Sequence, residues 1–159
     1  MKKWFILLSV TLVWTSCQRN SSLEEHGHSH DEGITLAYTL YSDKTELFVE
    51  FKPLVVGRPS KFAAHFTRLG ESFTSLDSGK ITLSLIVNGK GIRQSNDKAS
   101  SQGIFRLALD PVAAGTGQLV FDIETAEYKD QIIIDPVSVY PDQKAAEAAT
   151  QAEGVGSIS

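Results

Sequence analysis

The sequence predicts an all-β domain, an immunoglobulin-like antiparallel β-sandwich of about seven strands. Three observations carry this. Apolar and polar residues alternate with a period of two over six or seven separate segments. Residues suited to tight turns punctuate those segments, and the strands recur at intervals of roughly 10 to 15 residues. A small open barrel is the competing architecture, since it has the same pattern of short strands and turns.

The chain opens on Lys2 and Lys3, followed by an apolar run from Trp4 to Trp14. That order is the order of a secretory signal, and the run is too short for a comfortable permanent span. Thr15 and Ser16 lead into Cys17, the single cysteine of the chain. A signal ending in this way resembles the lipobox of bacterial lipoproteins, with Trp14 standing where leucine is usual. The resemblance implies cleavage after Ser16, acylation of Cys17 and a mature chain held at a membrane by lipid on the periplasmic side. An ordinary cleaved signal followed by an unmodified cysteine is the alternative.

Residues 17–33 contain almost nothing that can be buried and read as a flexible tether. Within them, Glu24-Glu25-His26-Gly27-His28-Ser29-His30-Asp31-Glu32 alternates histidines with small residues among carboxylates. Imidazole nitrogens suit Zn²⁺, Cu²⁺, Ni²⁺ or Co²⁺. His26, His28 and His30 are therefore the candidate metal ligands, with Glu25 and Asp31 available to complete the shell. A polar spacer of no chemical consequence is the bland reading of the same tract. Cu⁺ is the less suited ion, because Met1 is the single methionine and Cys17 the single cysteine.

Residues 34–141 hold the alternating segments. Leu47, Val49 and Phe51 share one face, as do Phe62, Ala64 and Phe66, which leaves Lys61 and His65 on the opposite side. The pattern continues with Ile81, Leu83, Leu85 and Val87, then Phe105, Leu107 and Leu109. Leu119, Phe121 and Ile123 follow, and then Ile132 and Ile134. Asn88-Gly89 predicts a hairpin, because both central positions of the favoured tight turn need φ > 0. Residues 56–59, 77–79 and 114–117 are further turns. Residues 142–159 are helix-prone by composition at first, show no apolar face, and end in a linker-like stretch. They read as a linker to a further segment or as a frayed tail.

Function classes narrow from the same residues. The chain carries a formal charge of −4, which becomes −6 once Lys2 and Lys3 leave with the signal. An acidic chain without basic clusters is a poor partner for nucleic acid. No Gly-x-Ser-x-Gly elbow is present, His65 has no evident nucleophile, and the glycine turns lack the strand–loop–helix setting of a phosphate cradle. Asp110, Asp122 and Glu124 fall on strand ends or outward positions, where solvated charge is the ordinary explanation. The sequence therefore predicts no enzyme. His65, alone on the polar side of its strand, is expected to be solvated rather than a ligand.

Four strings carry a family resemblance: Thr45–Gly57, Ser60–Thr67, Gly103–Arg106 and Gly115–Ile123. From Tyr38 to Tyr140 the chain resembles the extra N-terminal domain of Bacteroidetes-type, CusB-like periplasmic adaptor (membrane-fusion) subunits of heavy-metal RND efflux pumps. The resemblance implies a lipid-anchored adaptor between an inner-membrane pump and an outer-membrane channel, with a heavy-metal cation as cargo. The adaptor core itself has no counterpart in this sequence, so the chain is expected to be the N-terminal part of a longer product. Gln18 after the cysteine favours the outer membrane by the usual sorting habit, whereas an adaptor is expected at the inner one. A stand-alone lipoprotein whose sandwich binds a protein or glycan partner is the alternative.

Overall fold

The computed structural model describes residues 34–155. The expected signal, Cys17, and the expected tether with its histidines lie outside the described residues. Ten strands and one helix form: β1 (Leu36–Tyr41), β2 (Thr45–Phe51), β3 (Leu54–Val55), β4 (Ser60–Arg68), β5 (Thr74–Ser75), β6 (Ser78–Val87), β7 (Lys90–Lys98), β8 (Ile104–Leu109), β9 (Gly115–Glu124), β10 (Lys129–Tyr140) and α1 (Gln143–Val155). They build two five-stranded sheets. In the first, β1, β2 and β4 lie side by side, and β4 also pairs with both β5 and β8. The second runs β3-β10-β9-β6-β7.

The predicted inward faces are the observed ones. Leu47, Val49, Phe62, Ala64, Phe66, Ile81, Leu83, Phe105, Leu119, Phe121 and Ile123 are almost wholly withdrawn from solvent. They form one core between the sheets, as period-two strands with a single apolar face require. Phe66 of the first sheet meets Phe105 beside it at 5.8 Å and Phe121 of the opposite sheet at 6.2 Å, both edge to face. That geometry suits the ring quadrupoles and joins the two layers at their centre.

Local chemistry explains the connections. The Ser42 hydroxyl accepts hydrogen bonds from the Lys44 and Thr45 amides at 3.1 and 2.9 Å, which closes the β1–β2 turn. It also donates to Asp130, tying that turn to the opposite sheet. Asn88 and Gly89 both have positive φ, 50° and 73°, so β6 reverses into β7 over two residues as the sequence predicts.

Three features depart from the plain antiparallel expectation. After Phe51, Pro53 has no amide to donate to a ladder. The chain leaves the first sheet there, and β3 joins β10 of the second sheet in parallel, Leu54 opposite Val139 and Val55 opposite Tyr140. The chain thus passes from one layer of the β-sandwich to the other between β2 and β3. β10 also shifts register between Ile134 and Val137. Ile132 and Ile134 point inward on even numbers, Val137 and Val139 on odd ones, so a bulge re-phases the strand around Pro136. Finally, β7 crosses to β8 of the other sheet, and side chains close the seam. Gln94 Oε1 accepts from the Ala108 amide at 2.7 Å, and Asn96 Nδ2 donates to the Arg106 carbonyl at 3.1 Å.

Residues 142–159, read as a linker, begin as α1. Asp142 Oδ1 accepts from the Ala145 amide at 2.8 Å, an N-cap at the helix start. The helix lacks a broad apolar stripe, yet Ala146 and Thr150 are buried where α1 meets β3 and β10. Thr150 satisfies its hydroxyl by donating to the Ala146 carbonyl at 2.9 Å. Replacing Asp142 with alanine is expected to cost about 1 kcal/mol of helix stability. Amide exchange at Ala145 should then quicken about fivefold, and an unchanged rate would show that the cap does not hold the helix start. Among the described residues, no helix is long and apolar enough to cross a membrane.

Candidate functional site

His65 occupies the outer face of β4, in register with Phe48 of β2 on one side and Ile104 of β8 on the other. Its ring lies against Gly103, where an added Cβ would fall 2.7 Å from both His65 Cδ2 and Nε2. Gly103 has a φ of 70°, so a side chain there would also be strained. The imidazole is thus seated between an aromatic ring, an aliphatic chain and backbone, with no carboxylate beside it in that row. Among the described residues, no group of three or more His, Cys, Asp or Glu side chains is placed to share a metal ion. The candidate ligands His26, His28 and His30, with Glu25 and Asp31, precede the described residues, as does the candidate lipidation site Cys17.

The outer face of the second sheet carries a polar groove of about 320 Å³. Its long walls are β6, β7, β9 and β10, and register decides its contents. Thr82 stands between Ser95 and Asp122, and Asp122 stands opposite Gln131. One row along, Lys80 faces Glu124, which faces Lys129. The Thr82 and Ser95 hydroxyls share a hydrogen bond of 2.8 Å. Gln131 Nε2 donates to Asp122 Oδ1 at 2.7 Å, and Lys129 Nζ lies 3.2 Å from Glu124 Oε2.

Three cations (Lys80, Arg93, Lys129) and three carboxylates (Asp122, Glu124, Asp130) line this groove together with two hydroxyls. Cationic side chains, carboxylates and hydroxyls are mixed along it, while the Asp130 carboxylate is held by the Ser42 hydroxyl of the first sheet. Such a lining offers hydrogen-bond donors and acceptors to a polar ligand. Asp122 and Glu124 were expected to be solvated charges. Both stand on the outward face, partly open to solvent, and each also meets a neighbour across the ladder. The groove is hard to see in the sequence because β7 has no buried face to announce it. The Asn88-Gly89 turn followed by the nine polar-rich residues of β7 is the signal that could have placed a fourth wall there. No protein-family model and no curated protein matches this chain.

Proposed function

We propose that the chain is the N-terminal domain of a periplasmic, lipid-anchored adaptor of a heavy-metal cation RND efflux system, whose His-rich tether collects divalent metal beside the pump. The observation that carries this reading is the alternation of His26, His28 and His30 among four carboxylates, just ahead of the first strand at Leu36. Ligands on a pliable segment can wrap an ion, and the entropy of ordering them keeps affinity moderate, which suits capture followed by release. The family resemblance supports the same reading. Its four strings fall largely on β2, β4, β8 and β9, the strands that enclose the core. In this reading Cys17 supplies the anchor, the sandwich is a rigid spacer, and the pump and outer-membrane channel are the partners.

Calorimetric titration of the full chain with Zn²⁺ and with Cu²⁺ tests it. Roughly micromolar binding is expected, lost when His26, His28 and His30 are all replaced by alanine and kept in His65→Ala. Binding that survives the triple replacement would remove the tether from the mechanism.

The polar groove favours a second reading, a surface lipoprotein that binds a glycan or protein partner. Glycan binding that withstands the triple histidine replacement and is lost in Asp122→Ala would select it.

A further inference from the structure

The four sheet margins of the sandwich are not treated alike. β7 carries Lys90, Arg93, Asp97 and Lys98 along its length, and its pairing with β6 is broken by a register shift. On β8, the Ala108 amide and the Arg106 carbonyl are occupied by Gln94 and Asn96. β3 is two residues long and borders α1. Charge, irregularity, side-chain capping and brevity are the ordinary means by which a sheet edge avoids pairing with another chain.

β1 has none of these. It reads Leu-Ala-Tyr-Thr-Leu-Tyr, with no charge and no proline. It matches β2 residue for residue from Leu36 opposite Phe51 to Tyr41 opposite Glu46. Among the described residues β2 is its one ladder partner, which leaves the far edge open. Its inward residues Leu36, Tyr38 and Leu40 pack against the core yet remain only half-buried, because no strand lies beyond them.

We propose that this edge pairs with β1 of a second copy of the chain, antiparallel, so that the two first sheets become one continuous sheet across a two-fold axis. An uncharged strand can meet its own copy without like-charge repulsion, whereas β7 against itself would oppose its own charges. Directly opposed residues of an antiparallel ladder share a face. Only registers joining residue numbers of equal parity therefore keep core face against core face. The register centred on Tyr38 places Leu36 against the partner's Leu40 and Tyr38 against its own equivalent. It covers more of the half-buried apolar row than a register centred on Thr39, and it sets Ala37 against the partner's Thr39 on the outer face.

That last pairing gives the test. Ala37 and Thr39 are exposed, and within one copy they face Glu50 and Phe48 of β2, so charges there leave the fold intact. Sedimentation of the full chain in a non-ionic detergent is expected to show a monomer–dimer equilibrium. The double variant A37K/T39K opposes lysine to lysine twice and should weaken dimerisation roughly tenfold. The double variant A37K/T39E opposes lysine to glutamate twice in the Tyr38-centred register and should restore it. A chain that stays monomeric overturns the proposal and hands the edge to a strand of a different protein. Dimerisation unaffected by A37K/T39K, or lost equally in both variants, overturns it as well.

Discussion

Replacement of Phe66 by alanine is expected to lower the stability of the sandwich by about 3 to 5 kcal/mol, read as a fall in the urea midpoint at unchanged slope. Phe66 is 0 % exposed and its ring meets Phe105 and Phe121, so it contacts both layers at once. Truncation removes the transfer free energy of the ring and leaves a cavity whose walls are held by two ladders. β4 is paired on both sides, by β2 and by β8, so the backbone cannot collapse into the space. Since a domain of this size has a net stability of about 5 to 15 kcal/mol, the variant should be close to its unfolding threshold. Phe48→Ala is the contrast. Phe48 is 37 % exposed on the outer face of β2, and its loss should cost only about 1 to 2 kcal/mol. Equal effects at the two positions would mean that the inner and outer faces of the first sheet have been misassigned.

Gly117→Ala is expected to cost about 1 to 3 kcal/mol and to lower the melting temperature by about 5 to 15 °C. The reason is space rather than backbone conformation. Gly117 lies in β9 between Val87 of β6 and Val137 of β10, at the point where β10 resumes its ladder after the bulge. A Cβ added there would stand 2.3 Å from the Ile86 carbonyl oxygen and 2.7 Å from Val87 Cγ2. The nearest obstacle is backbone, so two paired strands must separate to admit one methyl group. Gly70→Ala serves as the reference, because an added Cβ at Gly70 meets nothing within 4 Å. It should change stability by no more than about 0.5 kcal/mol. A Gly117→Ala variant as stable as Gly70→Ala would show that β9 and β6 are not held as closely as the structure has them.

Period-two patterning was sufficient to find β2, β4, β6, β8, β9 and the first half of β10, because each carries one apolar face toward the core. It failed where that condition fails. β7 has Ile92 as its main apolar residue, and an edge strand with little more than that side chain packed against the core writes no alternation into the sequence. β1 lies at the rim, where Leu36, Tyr38 and Leu40 are only half-buried, and its alternation of apolar residues with alanine, threonine and tyrosine is weak. In β10 the bulge moves the inward positions from even to odd numbers, so Val137 and Val139 fall out of phase with Ile132 and Ile134. The helix was visible only as composition. Its two buried positions among the described side chains, Ala146 and Thr150, are too small to mark an apolar face.

The candidate chemistry divides in the same way. The alternating histidines and the single cysteine are plain in the residue order, because a His-rich tract or a signal-like run is defined by local composition. The polar groove was not, since Thr82, Ser95, Glu124 and Lys129 come from four strands and are brought together only through register.

By itself, the sequence determined which residues face inward on the main strands and where the chain reverses. Both depend on near neighbours: side-chain parity along an extended backbone, and the φ values that Asn88 and Gly89 tolerate. Tertiary structure alone decided which strand joins which sheet, where β10 slips phase, and which polar side chains share the outer groove. Those outcomes depend on contacts between residues far apart in the chain, and no short window of sequence contains both members of such a pair.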